Sequence, residues 1–442
     1  MDGKDLDGQL SRHIEIIEKC GVVSDRFGRL LLASPLHTRY PYIYPRDTSS
    51  AMTLLRRIAA SGKDYKCAGR AFKLMESAAQ FMKAVCRNGY WGQRYSTQGE
   101  DKSIYKQEDN IAHGIAIICN YLLAARKTKA AVPGLDGYLK CVDEAAAYSL
   151  KNLYHPELNL FHSTTAIHES AIEEGFTCWT NFSFLYAFSL LHEVATLIDE
   201  KKIISRHCLD FRRHFLYSVG ELFIARDRFV RRINVEGHFD LRPDITLMSP
   251  FYFGFCHYKT QIDNSIDFLE KHLWDSELGM IMRYLPFQKD FAVHIHAGHG
   301  PWLQYTAILA QYHYWNENPR RGDELLRMID SYKSAEDEIP EHLSTWERFE
   351  RFMETEWQTG IDFAKEFHQP LLLDGVRFDT ILEEANNMAT SYRDTEKRGA
   401  AKTGSGEPGY IRFATPLMWA HVEYARALLF RAGDWWKLHK KN

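Results

Sequence analysis

Carboxylates in two segments of the chain could perform acid–base chemistry. Glu341 lies in a loop expected after a helix, and Glu169, Glu173 and Glu174 come just before the most apolar predicted helix. Hydrolysis of a glycosidic bond needs such a pair, with one carboxyl protonated to assist the leaving oxygen and the other ionised to activate water. Burial near an apolar helix raises a carboxyl pKa, as a general acid requires. The competing interpretation is helix capping or solvated charge, which composition alone favours because most glutamates are exposed.

Polar residues next to aromatic ones could bind a sugar. Arg46 and Asp47 follow an aromatic run that includes Tyr44. Arginine donates and aspartate accepts hydrogen bonds, so the two could bracket neighbouring hydroxyls. In the alternative interpretation, Asp47 caps the following helix and Arg46 is a solvated neighbour, and spacing alone does not distinguish it from sugar binding. Further along, Trp91 could stack on a pyranose ring or pack at the rim of a pocket.

Two short motifs suggest a nucleotide or a metal, and neither is well supported. Residues 404–409 match GxGxxG, but no predicted strand precedes them and Pro408 favours a turn. His294, His296 and His299 have HxHxxH spacing without the carboxylates or the HExxH motif of a zinc enzyme. We interpret these histidines as polar residues in a glycine-containing turn. The sequence therefore predicts neither a metal nor a cofactor.

Composition indicates a globular protein without nucleic-acid or membrane partners. Of the 442 residues, 45% are hydrophobic and 26% charged, with a net charge of -3 and no long basic block. No run of about 18 apolar residues occurs, and the N-terminus lacks the features of a signal peptide. The 8 cysteines form no CxxC pair, which predicts free thiols. Together these features predict a cytoplasmic location.

Helical periodicity dominates the chain and predicts one all-α domain over residues 1–442. Some helices are apolar around much of their circumference and others have a single apolar stripe, which indicates an inner and an outer ring, an (α/α)6 barrel. Long aromatic and charged loops recur between them, and we expect these loops to build one site at one end of the barrel. Residues 389–410 are predicted to be a mobile loop. The predicted helices cover residues 49–61, 66–86, 108–127, 138–152, 173–198, 203–225, 262–272, 298–317, 319–332, 345–367, 376–388 and 415–431.

Taken in order, these loops resemble the glucoamylase family, glycoside hydrolase family 15. Each match is weak alone, but together they run from about residue 40 to residue 425, nearly the whole chain. The matching segments are Tyr44-Pro-Arg46-Asp47, Trp91-Gly-Gln93-Arg94-Tyr95, Gln107-Glu-Asp109, Asp244-Ile-Thr-Leu247 with Pro250, Arg283-Tyr284, His299-Gly-Pro301-Trp302, Pro340-Glu341-His342 and Pro416-Leu-Met-Trp419-Ala-His421-Val-Glu423.

The resemblance implies an (α/α)6 barrel that releases glucose from the non-reducing end of α-glucosides with inversion, without a metal or cofactor. It makes Glu341 the general base. Arg46, Asp47 and Arg283 would hold the terminal glucose. The remaining residues implied to contact substrate or line the pocket are Tyr44, Trp91, Gln93, Arg94, Asp109, Trp302 and Trp419.

The acid segment departs from the family pattern. The family has Trp-Glu about eight residues before Phe-Thr, whereas here His168-Glu169 precedes Phe176 by one residue fewer. We favour Glu169 as the general acid, with Glu174 as the main rival. His168 stands where the family has tryptophan, and His342 stands where it has glutamine. A histidine beside the acid is expected to titrate near neutrality and to shift the pH optimum.

The preferred substrate is a short soluble oligosaccharide, and the linkage and oligomeric state stay open. One alternative is a non-catalytic or regulatory glucan-binding barrel, which would lack an acid opposite Glu341. Another is a glycoside phosphorylase, which would use phosphate in place of the base. The base-like segment around Glu341 argues against the phosphorylase, and fold class alone decides nothing about chemistry.

Overall fold

The computed structural model describes residues 3–36, 38, 40–168, 174–204, 218–285, 300–352, 354, 369–379, 382–383 and 409–435. Helices dominate this part of the chain. Their bounds are α1 Gly3–Cys20, α2 Pro45–Ala59, α3 Ala68–Val85, α4 Asp109–Thr128, α5 Leu135–Asn152, α6 Cys178–Leu197, α7 Ser249–Tyr252, α8 Lys259–Leu273, α9 Leu303–Trp315, α10 Pro319–Ser331, α11 Trp346–Arg351 and α12 Met418–Arg431.

The strands are short and all their pairings are antiparallel. Most join neighbouring segments, but β12 pairs with the distant β13, with His342 opposite Phe413 and Thr345 opposite Tyr410. The strands are β1 Val22–Ser24, β2 Gly28–Leu30, β3 Tyr154–His155, β4 Leu160–Phe161, β5 Phe176–Thr177, β6 Ile224–Ala225, β7 Arg228–Phe229, β8 Arg232–Ile233, β9 Phe239–Asp240, β10 Trp274–Asp275, β11 Met280–Ile281, β12 His342–Thr345 and β13 Tyr410–Phe413.

Burial separates an inner from an outer ring of helices, as the sequence predicts for an (α/α)6 barrel. Helices α4, α9 and α12 are buried over nearly their whole circumference. By contrast, α8 and α10 bury one stripe of residues three or four positions apart and expose the rest. An apolar circumference is stable only where other helices cover it on every side, so the sequence dictates which helices lie inside.

The inner ring is continuous around the barrel axis. Helix α12 packs on α2, α2 on α4, and α4 on α6, while α9 packs on α12. Helix α6 also contacts the short α7, and Phe251 of α7 meets Tyr312 of α9 edge-to-face at 5.7 Å. This last contact closes the ring between α6 and α9.

The N-terminal ends of the inner helices meet at one end of the barrel. Arg46 in the first turn of α2 pairs with Asp109, the first residue of α4. Trp179 in the first turn of α6 donates a hydrogen bond to Asp109 and lies 6.1 Å from Trp419 in the first turn of α12. Each of these helices begins directly after one of the aromatic loops, so the loops are gathered at this end.

Helix α1 is an element that the periodicity analysis did not predict. Its apolar residues Leu6, Leu10, Ile14 and Ile17 recur every three or four positions and are buried, so the signal was present. The helix packs on α12, where His13 contacts His421, their Nδ1 atoms 3.0 Å apart. The N-terminus is thereby attached to the last inner helix.

Most other helices have the predicted positions, with ends that differ by a few residues. The predicted helix 173–198 begins only at Cys178, because β5 precedes it. Most of the predicted helix 203–225 lies outside the described residues, and its end, 224–225, is strand β6. Of the helix predicted over 345–367, α11 confirms the start. The predicted loop 389–410 lies outside the described residues except at its end, where Tyr410 begins β13.

Cysteines in the described part of the chain are all free thiols, as the sequence predicts. Among the described residues, no helix has the length and apolar character needed to cross a membrane.

Gly114 allows the indole of Trp91 to pack directly against α4. A Cβ atom at this position would overlap the Trp91 ring, and Trp91 is fully buried with its indole N–H donating to the Met82 carbonyl, 2.9 Å away. We expect Gly114→Ala to lower the free energy of unfolding by about 1–3 kcal/mol through overpacking. Gly69→Ala is the matched control, because nothing lies within 4 Å of its Cβ position in α3.

The control should raise the free energy of unfolding by up to about 1 kcal/mol, because alanine has the higher helix propensity. Urea unfolding of both variants measures the difference. Equal effects of the two substitutions would contradict the packing argument.

Candidate active site

A buried ion pair joins the first turns of α2 and α4. The Nη2 atom of Arg46 lies 3.1 Å from Oδ2 of Asp109, and both side chains are buried. The indole N–H of Trp179 donates to the same oxygen at 3.1 Å, and Arg46 also donates to the Ala166 carbonyl at 3.1 Å. Although burial opposes ionisation, Arg46 and His113 hold the pKa of Asp109 below its usual range. Arg46 is therefore a fixed, desolvated cation, and the alternative of a solvated arginine is wrong.

Tyr44 and Asp47 flank Arg46 and are half-buried. Helix α2 begins at Pro45, after Tyr44. The structure therefore places Asp47 inside the first turn and not at the cap position that the alternative interpretation required. Tyr44 contacts Tyr40 edge-to-face, with ring centroids 6.1 Å apart. A sugar contact of Tyr44 or Asp47 stays a prediction.

Glu341 immediately precedes β12, and backbone hydrogen bonds fix it on both sides. Its amide donates to the Phe413 carbonyl at 2.9 Å, and its carbonyl accepts from the Leu303 amide at 2.9 Å. The side chain is buried, and its Oε2 atom accepts a hydrogen bond from the Tyr40 hydroxyl at 3.3 Å. Nδ1 of His342 lies 3.1 Å from the same oxygen. An ionised carboxylate can only accept hydrogen bonds, so an ionised Glu341 requires the proton on Nδ1 of His342.

Aromatic stacking holds His342 in this orientation. Its ring is fully buried between Trp302, at 4.6 Å and an interplanar angle of 14°, and Phe413, at 4.2 Å and 4°. The guanidinium of Arg283 lies 4.5 Å from the centroid of the Trp302 ring. A row of planar groups thus extends from Arg283 to Phe413 and connects the predicted sugar-binding arginine with the side chain next to Glu341.

Opposite this row, His168 connects Arg283 with a buried carboxylate. Nε2 of His168 lies 2.8 Å from Oδ1 of Asp244, and Nδ1 accepts a hydrogen bond from Nε of Arg283 at 2.6 Å. Arg283 also donates to the Ile167 carbonyl. Arg231 donates to the other Asp244 oxygen at 3.0 Å. Burial alone would raise the pKa of Asp244, but His168 and Arg231 hold it well below the usual range.

The expectation that His168 titrates near neutrality is wrong. Burial lowers the pKa of His168 to about 3, and the cations Arg283 and Arg231 act in the same direction against the opposing effect of Asp244. His168 is therefore neutral at every pH where the protein is expected to work. Sequence reasoning missed this because it cannot show how deeply a loop residue is buried.

Tyr305 of α9 lies between the two sides of the site. Tyr305 is buried, and the pKa of its hydroxyl is influenced by the charges of Arg283, Arg46, Asp244 and Glu341. Burial raises the pKa of this hydroxyl, with the arginines opposing and the carboxylates adding to the effect. The ring of Tyr305 lies 6.0 Å from that of Trp302 and 5.8 Å from that of Trp419.

Trp302 and Trp419 are both almost completely buried at this end of the barrel. Trp419 meets Tyr305 edge-to-face at 5.8 Å, and its indole N–H donates to Glu423 at 2.9 Å. Glu423 is fully buried and also accepts from Ser50 at 2.6 Å. This carboxylate, which the sequence analysis did not single out, holds the tryptophan at the base of the site.

Of the two candidate acids, the structure describes only Glu174. Glu169 lies outside the described residues, as does Glu173. Glu174 is described and exposed, and its backbone carbonyl accepts from Arg232 at 2.7 Å. Because Glu174 is exposed, it lacks the apolar surroundings for which a carboxyl near α6 was considered as the general acid. The choice between Glu169 and Glu174 stays a prediction.

Glu108 anchors the loop that leads to these candidates, a role that the sequence did not reveal. Its carboxylate accepts from the amide and the hydroxyl of Thr164, both at 2.8 Å, and from Ser163 at 3.2 Å. Burial raises the pKa of Glu108, although these hydrogen bonds oppose the change. The segment before His168 is thus attached to the N-terminus of α4.

Gln93 and Arg94 shape the loop before α4. The Gln93 side-chain oxygen accepts from the amides of Ile104 and Tyr105 at 3.1 and 3.3 Å. Arg94 donates to the Lys102 carbonyl at 2.7 Å. Together with the buried Trp91, these residues have clear packing and positioning roles, and their contact with a sugar stays a prediction.

His294, His296 and His299 lie outside the described residues. Within the described ranges, no group of three or more histidine, cysteine, aspartate or glutamate side chains could hold a metal ion.

Comparison with known proteins identifies the fold. No protein-family model matches the chain, and no curated protein sequence matches it significantly. A wild-type glycosidase superposes over 98% of this chain and 99% of its own, with a TM-score of 0.58 and 14% identity. The glucoamylase of Saccharomycopsis fibuligera covers 98% and 95%, with a TM-score of 0.57 and 14% identity.

A bacterial glucoamylase solved with acarbose covers 97% of this chain and 56% of its own, with a TM-score of 0.62 and 12% identity. A variant of the glycosidase was solved with glucose. At these identities the likeness establishes a shared (α/α)6 fold, and arguments about activity depend on the site.

The low pKa of His168 makes stability depend on pH in a defined direction. The unfolded chain takes up a proton at its usual pKa of 6.5, whereas the folded protein does so only near 3. Stability from this group is complete above pH 6.5 and is lost as the pH falls through that window. Between pH 7 and pH 4, we expect the free energy of unfolding to fall less in His168→Gln than in the wild type. The two decreases should differ by up to about 3 kcal/mol.

Urea unfolding at a series of pH values measures this difference. His238→Gln, at an exposed turn, is the matched control and should leave the slope unchanged. If wild type and His168→Gln lost stability in parallel, His168 would not be a buried neutral group.

Proposed function

We propose that the protein is an inverting, exo-acting α-glucosidase that releases β-glucose from the non-reducing end of short α-glucosides. The observation that carries the proposal is the position of Glu341, a buried carboxylate held by Tyr40 and His342. It lies at the barrel end where Arg46 and Arg283 are also fixed.

Glu341 would act as the general base. The hydrogen bonds from Tyr40 and His342 stabilise its ionised form, which must accept a proton from the attacking water. Both of these hydrogen bonds reach Oε2 of Glu341. A glutamate at 169 or 174 would protonate the leaving oxygen from the other face of the sugar. Inversion requires the two carboxyl groups to lie roughly 6.5–9.5 Å apart, so that water fits between base and sugar.

The surrounding residues suit a single terminal glucose. Arg46 and Arg283 are buried donors whose positions are fixed by Asp109 and His168. Asp47 lies next to Arg46 in the first turn of α2, and the largely buried Trp302 and Trp419 give this end of the barrel apolar surroundings. One structural relative was solved with glucose and another with acarbose, which supports a sugar as the kind of ligand proposed here.

Proton NMR of the protein mixed with maltose, isomaltose, trehalose and short dextrins tests the reaction directly. We expect β-glucose to appear within minutes, before mutarotation, and the reactive sugar names the linkage. Early α-glucose would overturn inversion. Phosphate-dependent release of glucose 1-phosphate would favour a phosphorylase, and no release with or without phosphate would favour a binding barrel.

Replacement of the base tests the assignment of Glu341. We expect Glu341→Gln to fold normally but to lower kcat by a factor of about 10² or more, because the amide cannot accept the proton from water. Glu350→Gln is the matched control at an exposed position on α11 and should keep full activity. Thermal unfolding shows whether both variants are folded, and near-normal turnover by Glu341→Gln would refute the role.

A further inference from the structure

A buried pair of histidines reaches from the N-terminal helix to the segment that carries Glu341. His421 of α12 is fully buried and His13 of α1 nearly so, and their Nδ1 atoms are 3.0 Å apart. On its other side, Nε2 of His421 accepts a hydrogen bond from the Ile339 amide at 2.9 Å. Ile339 lies two residues before Glu341.

These contacts define which nitrogen atoms carry protons. Because Nε2 of His421 accepts from an amide, it has no proton, and a neutral His421 carries its proton on Nδ1. That proton is donated to Nδ1 of His13, whose own proton is then on Nε2. Burial lowers the pKa of both histidines, to about 3 for His13, and the nearby cations Lys333 and Arg12 act in the same direction. Both rings are therefore neutral, as this chain of hydrogen bonds requires.

Ile339 is the last residue before Glu341 whose amide can be tethered, since Pro340 has no N–H. The Ile339 carbonyl accepts from the Leu417 amide at 3.0 Å, so both backbone groups of Ile339 are bound to the start of α12. Beyond Pro340, the backbone of Glu341 is held by Phe413 and Leu303. The segment is thus fixed on both sides of the proline, and His421 supplies the only side-chain contact to the Ile339 amide among the described residues.

We propose that His421 and His13 are positioning residues for Glu341. His421 anchors the Ile339 amide, and His13 keeps His421 in the tautomer whose Nε2 can accept the hydrogen bond from that amide. This inference rests on the function proposed above. Neither ring is exposed at the site, so both act through the backbone and not on the substrate. A base displaced by as little as about 1 Å can cost a factor of 10² in rate, which makes such an anchor significant.

The experiment compares His421→Leu with His421→Gln. A glutamine oxygen can replace Nε2 as the acceptor for the Ile339 amide, whereas leucine leaves that amide without a partner. We expect His421→Leu to lower kcat by about tenfold or more with KM changed less than about threefold. His421→Gln should recover most of the loss. Amide hydrogen exchange over residues 339–345, followed by mass spectrometry, should speed up in the leucine variant and stay near the wild-type rate in the glutamine variant.

A second pair of variants guards against misfolding of His421→Leu. His13→Leu removes the acceptor for His421 but leaves His421, the residue that contacts Ile339, in place. It should therefore lower kcat and speed up hydrogen exchange in the same direction as His421→Leu, but by less. His13→Gln, which offers an acceptor to His421, is its control. Wild-type kcat in His421→Leu, or unchanged exchange over 339–345, would overturn the proposal, as would a loss in kcat that His421→Gln fails to recover.

The two proposals fail in different ways. If the wild-type protein hydrolyses none of the sugars, the proposed function fails. Hydrogen exchange over 339–345 does not depend on activity, so it still decides whether the histidine pair anchors this segment.

Discussion

The cost of burying charge governs the construction of this site. An ionised side chain removed from water is tolerated only when a partner and hydrogen bonds compensate it. Asp109 has Arg46 and Trp179, Asp244 has Arg231 and His168, and Glu341 has Tyr40 and His342. Apart from His342, which directly follows Glu341, each partner comes from a different segment than its carboxylate. The same contacts that make the charges stable therefore bring the loops together.

The arrangement of the inner helices makes this assembly possible. Arg46, Asp109, Trp179 and Trp419 are far apart in sequence, yet each occupies the first turn of an inner helix. Because these helices begin at the same end of the barrel, their first turns meet around the axis. The N-terminal dipole end of α4 is positive, which favours the carboxylate of Asp109 in its first turn. Helix orientation thus determines the location of the site.

Much of this could be predicted from sequence, and the rest could not for physical reasons. Apolar circumferences identified two of the inner helices, those predicted over residues 173–198 and 298–317, because burial on all sides leaves a pattern in the chain. The residue types around Arg46 and Glu341 indicated polar chemistry. Burial of a loop residue leaves no such pattern, so the neutrality of His168 was missed. The role of Tyr40 depends on a hydrogen bond to a residue some 300 positions away, and no local spacing reveals it.

The two halves of the proposed reaction differ in how the chain supports them. Glu341 adjoins a strand pair, is tethered through its own backbone and has its carboxylate oriented by a histidine stacked between two rings. The acid candidates follow His168, whose hydrogen bonds to Asp244 and Arg283 fix the start of their segment. A shared arginine links the two sides, since Arg283 contacts both His168 and Trp302. Arg283, which is proposed to hold the sugar, therefore connects the start of the segment with the acid candidates to the row of rings beside Glu341.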